Sequence, residues 1–107
     1  MFNKAKEIYD QEFVQLLKKL EESFSATPLI KANGENITIS DVIQTVSNAK
    51  YSDMVKGAAI ASLTKDIRLL VHDRHISLTE QQKELLHQIT ARNAKHEAAR
   101  PGIRIFG

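Results

Sequence analysis

Cysteine and tryptophan are absent from the 107 residues, and proline (two) and glycine (four) are scarce. Without cysteine there can be no disulfide, thiolate zinc site, iron–sulfur cluster or cysteine nucleophile, so a small secreted disulfide scaffold is excluded. The same absence fits a reducing compartment, and the cytoplasm is the expected location. The opening residues, Met1 to Phe13, mix both charge signs and lack an apolar run followed by small residues, so no secretory signal is expected. Long hydrophobic runs are missing too. The most apolar stretch, 54–71, is interrupted by Lys56, Lys65, Asp66 and Arg68, whereas a bilayer span needs about 20 apolar residues, so no membrane segment is expected.

The scarcity of glycine also limits the chemistry. Gly34, Gly57, Gly102 and Gly107 are scattered, no glycine-rich loop precedes a Lys-Ser or Lys-Thr pair to cradle phosphates, and no serine sits in a Gly-x-Ser-x-Gly elbow. Paired acids such as Glu21 and Glu22 fall on the polar face of a predicted helix, where nothing would tune them for proton transfer. His72 and His75, three apart, would need a third ligand such as His87 to hold a metal. Their place at a predicted helix end is explained more simply by the helix dipole, which favours cations there. No catalytic residue, metal site or cofactor is therefore expected, and the chain reads as a non-enzyme.

What remains is a helical pattern. Hydrophobic residues make up 42% of the chain and charged residues 26%, the balance of one globular domain rather than a disordered segment. Phe2, Tyr9, Phe13, Leu16, Leu17, Leu20 and Phe24 recur at helical spacing and predict a helix over about 3–24. Ser40-Asp41 predicts the start of a short helix to 49, and Ser52-Asp53 that of a long one over 52–74. Ser77 with Glu80 has the spacing of a capping box, which predicts a last helix over 78–99. Its apolar stripe, Leu78, Leu85, Leu86 and Ile89, fades after Ile89, and the remainder is expected to project or fray. Between the first two helices, Asn33-Gly34 predicts a two-residue hairpin turn near 29–39, with Ile30 facing Ile37. The expected fold is mainly α, a small domain of about four helices with a short β-hairpin, over 1–100, followed by a tail at 101–107.

Three surfaces are candidates for contact with partners. Residues 1–50 carry six Lys/Arg against seven Asp/Glu and residues 51–107 nine against six, so the net charge of +2 hides a basic second half. Arg92, Lys95, Arg100 and Arg104 form a candidate contact set for phosphates or an acidic partner, with a solvated helix end as the plainer explanation. The tail alternates Ile103, Ile105 and Phe106 with Arg104, as an added strand or docking peptide would. Phe2, Tyr9, Phe13, Leu16 and Leu20 form an aromatic stripe suited to a homodimer interface, as do the small residues of the third helix. By elimination the expected function is that of a small regulatory or adaptor protein working through another protein, like compact modulators of bacteria, phages and plasmids. A nucleic-acid-binding regulator using the basic end is the alternative.

Overall fold

The computed structural model of the chain describes residues 9–99, with side chains through Ala94. Four helices follow in order: α1 (Gln11–Ser23), α2 (Ile39–Ser47), α3 (Asp53–His72) and α4 (Glu80–Ala99). Each helix packs on the next and α4 closes on α1, while the diagonal pairs make no close backbone approach. The helices are thus the four corners of a ring, and their apolar stripes meet in one core that runs from Tyr9 to Ile89. Phe13, Leu17 and Leu20 of α1 are completely buried there, alongside Val46, Ile60, Ile67 and Ile89. None of the helices among the described residues is long and apolar enough to cross a membrane.

The helix boundaries follow their caps. Within the described residues α1 starts at Gln11, because the Asp10 carboxylate accepts the Phe13 amide proton at 3.0 Å and ends the helix on that side. The expected start at Asn3 lies outside the described residues, but Tyr9 and Asp10 themselves are not helical. In α2 the cap position belongs to Thr38, not Ser40, and the Thr38 hydroxyl donates to the Asp41 carboxylate at 2.9 Å. The start of α3 is as expected, with Ser52 Oγ accepting the Val55 amide.

The expected hairpin is not seen as strands. Among the described residues the 29–39 segment holds a single isolated bridge that pairs Ile30 with Asn36 rather than with Ile37, closed by hydrogen bonds from the Lys31 amide to the Glu35 carbonyl and from the Ile37 amide to the Leu29 carbonyl, both at 2.8 Å. The turn explains the difference. A type I′ turn needs a positive φ at both central residues, and only Gly34, at +90°, has one. Asn33 instead turns its side-chain oxygen onto the Glu35 amide at 2.9 Å, so the loop spans three residues, the register moves by one, and pairing ends at Leu29 and Ile37. Leu29 still anchors the segment in the core.

The capping box of α4 lies two residues beyond its expected place. Thr79 Oγ1 accepts the Gln82 amide at 3.1 Å, and Gln82 Oε1 accepts the Thr79 amide at 2.9 Å, a reciprocal pair formed by Thr-x-x-Gln rather than by Ser77 and Glu80. Tertiary contact decides between the two. The Gln82 amide nitrogen also donates to the Ser23 carbonyl at 2.9 Å, so the buried glutamine ties the start of α4 to the end of α1. Glu80 makes no such tie and stays at the surface with Lys83.

Helix α3 stops at His72, two residues before its expected end, in a Schellman arrangement. The His75 amide donates to the Leu70 carbonyl and the Arg74 amide to that of Val71. Arg74 occupies the left-handed position with φ of 64°, where glycine is usual. That conformation costs an L-residue about 1–2 kcal/mol, partly offset by the greater freedom glycine loses on folding. Arg74→Gly is therefore expected to stabilise the chain by about 0.5–1 kcal/mol and raise the melting temperature by about 2–6 °C. A lower melting temperature would show that the arginine contributes more than its backbone costs.

Candidate functional site

The sequence-predicted residues are dispersed. Tyr9, Phe13 and Leu20 are buried in the chain's own core and Leu16 is half-buried against it, so most of the proposed dimer stripe is already covered from within. Phe2 lies outside the described residues, as do Arg100, Ile103, Arg104, Ile105 and Phe106. Lys95 falls within α4, but its side chain is not described. Arg92 is engaged: its guanidinium donates to Glu12 at 2.6 Å and lies 3.5 Å from Asp10, both at the start of α1. His72 and His75 are exposed, and the imidazole Nδ1 of His72 sits 3.3 Å from the neighbouring Asp73 carboxylate. Among the described residues no three His, Asp or Glu side chains converge in a group able to hold a metal.

Sequence reasoning misses two buried amides on α4. Gln82 and Asn93 are the polar ends of a stripe that continues through Leu85, Leu86 and Ile89. Asn93 Oδ1 accepts the Tyr9 hydroxyl proton at 2.6 Å, and its Nδ2 donates to the Gly57 carbonyl at 3.2 Å. One side chain thereby joins α4 to α3 and to Tyr9, two residues before α1. The signal is hidden in the apparent fading of the stripe after Ile89: the next inward position, four residues on, is occupied by an asparagine.

The surface that remains unused lies along α3. Of the five large apolar side chains exposed among the described residues, Met54, Val55 and Leu69 belong to α3, and Tyr51 leads into it. Met54 is 62% exposed and Leu69 49%. With Ala58, Ala61 and Lys65 between them, Met54 and Leu69 lie along the outer ridge of the helix, opposite the buried Ile60, Leu63, Ile67 and Leu70. Two flanks of different charge border it. Towards α4 runs an open groove of about 710 Å³, lined by Ala61, Thr64, Leu69, Thr90 and Ala94 together with Lys65, Arg68 and His72. Arg68 reaches across this groove and donates to Thr90 Oγ1 at 3.1 Å. On the other flank Asp66 and Asp73 face the 31–33 loop, where Lys31 sits 3.8 Å from Asp66.

Comparison of the chain with known protein families, characterised proteins and solved structures finds no match.

Proposed function

We propose that this chain is a small, non-enzymatic regulatory or adaptor protein that acts by docking on another protein. The observation that carries the reading is the ridge of α3. Met54 and Leu69 stand exposed on the outer side of α3 while the core is filled without them, and Leu69 borders the open groove towards α4, an arrangement suited to a contact surface. The nucleic-acid alternative draws on the basic end of the chain. Its one described side chain, Arg92, is already held by Asp10 and Glu12, which weighs against it.

The test is a tagged-protein capture from the native host with the double variant Met54→Glu and Leu69→Glu. Both side chains are exposed, so the variant should melt within a few degrees of the parent and lose the specifically bound protein. A truncation after Arg100 examines the Ile103, Ile105 and Phe106 tail as a second anchor in the same assay. Identical capture by the parent and the double variant would remove the ridge as the docking surface.

A further inference from the structure

We infer that the groove between α3 and α4 receives an acidic amphipathic helix of the partner protein, an inference that rests on the docking role proposed above. Three features define the occupant. First, the groove is open and its lining runs along α3 from Ala61 to His72, with Leu69 as its large apolar side chain and the small Ala61 and Ala94 between the two helices. Ala61 to His72 spans about 17 Å of helix, enough for three turns of a docked helix to lay successive apolar side chains into it.

Second, the charged side chains that line the groove among the described residues are the cations Lys65 and Arg68, with His72 beside them. Lys65, Arg68 and His72 follow one another along the same side of α3. Among the described side chains no carboxylate lies within ion-pair distance of Lys65 or Arg68, as is also true of Lys18, Lys19, Lys50, Lys56 and Arg74; what sets Lys65 and Arg68 apart is their place on the groove. Arg68 is also held across the groove by its bond to Thr90, and its other guanidinium donors have no acidic partner among the described residues.

Third, the charge arrangement selects among occupants. A second copy of the chain pairing α3 with α3 in antiparallel two-fold fashion would bring the two cationic flanks to the same side of the interface, where like charges repel. Parallel pairing would set that flank against Asp66 and Asp73, so a light-scattering mass of two chains that Lys65→Glu with Arg68→Glu reduces to one would overturn the inference. A nucleic acid would meet only this short cationic row beside an exposed leucine, with no aromatic residue lining the groove for base stacking. A helix with leucines on one face and glutamates beside them satisfies both the ridge and the row.

The probe is a fluorescein-labelled model peptide of about 18 residues with leucines at helical spacing flanked by glutamates. A matched peptide carries lysine for glutamate, and a DNA duplex of about 20 base pairs serves as the third probe. Fluorescence anisotropy is expected to show binding of the glutamate peptide at least tenfold tighter than of the lysine peptide. The affinity should fall several-fold between about 50 and 500 mM salt, as screening predicts. Lys65→Glu with Arg68→Glu should reverse the preference and favour the lysine peptide, a gain that a misfolded variant could not produce. Equal binding of the two peptides, an unreversed preference, or tighter binding of the duplex would overturn the inference. If the glutamate peptide fails while the Met54 and Leu69 variant still loses its captured protein, the docking role survives and only the partner chemistry is wrong.

Discussion

Phe13→Ala is expected to lower the unfolding free energy by about 3–5 kcal/mol, the cost of emptying the centre of the core. Phe13 is 0% exposed, and its ring lies 5.1 Å from that of Tyr9 at 52°, so truncation removes both buried area and a tilted aromatic contact. The surrounding helices cannot easily close the void, because α1 is held at one end by Asp10 and at the other by the bond from Gln82 to Ser23. A domain of this size is stable by only about 5–15 kcal/mol, and no disulfide restrains its unfolded state. Urea titration followed by circular dichroism should give a much lower midpoint for the variant, or a chain already partly unfolded in buffer. Leu16→Ala, half-buried on the same helix, is the control. Equal midpoint shifts for the two would mean that Phe13 is not at the centre of the core.

Asn93→Ala should cost about 2–3 kcal/mol, nearly as much as a core truncation although the residue is polar. Asn93 is 6% exposed, and both ends of its amide are used, the oxygen by the Tyr9 hydroxyl and the nitrogen by the Gly57 carbonyl. The orientation of the amide is dictated by chemistry, since a carbonyl can only accept and so must face the NH₂ group. Alanine loses both bonds where water has little access to replace them. Tyr9→Phe removes only the hydroxyl and should cost about 1 kcal/mol, with the double variant less destabilised than the sum of the two. Strict additivity would mean that the buried bond between Tyr9 and Asn93 contributes nothing to stability.

The parts of this fold that can be read in advance are those set by local chemistry and periodicity. Four helices are legible because each carries an inward stripe, and Ser52 marks the start of α3 by the same rule that places it in any chain. The departures lie where two equally good local signals compete. Ser77 with Glu80 and Thr79 with Gln82 both have capping-box spacing, and the choice between them is made by the Ser23 carbonyl, 59 residues away from Gln82. The hairpin departs for a similar reason: Asn33 meets the compositional rule for a tight turn, but its side chain satisfies a neighbouring amide and the backbone does not need the second positive φ.

The candidate site is less legible than the fold. Charge counting points to the end of α4, where Arg92 is bound internally, while Lys65 and Arg68, which have no acidic partner among the described residues, look in the sequence like mere interruptions of an apolar stretch. Nothing in one sequence distinguishes a cation facing an acid from one facing an open groove. That distinction depends on which helices are neighbours around the ring, and so on the closure of α4 against α1.

The bond between Tyr9 and Asn93 joins residues 84 positions apart. At a synthesis rate of about 5–20 residues per second, the aromatic face of α1 waits roughly 4–17 s before the asparagine that completes its cover has been made. During that interval α2 is the described neighbour of α1 already able to pack on it, so among the described helices the nascent chain presents α1 first and encloses it last. The polar amide at position 93 is therefore a late latch, and its loss should lower the yield of soluble protein from the ribosome even where the finished fold tolerates it.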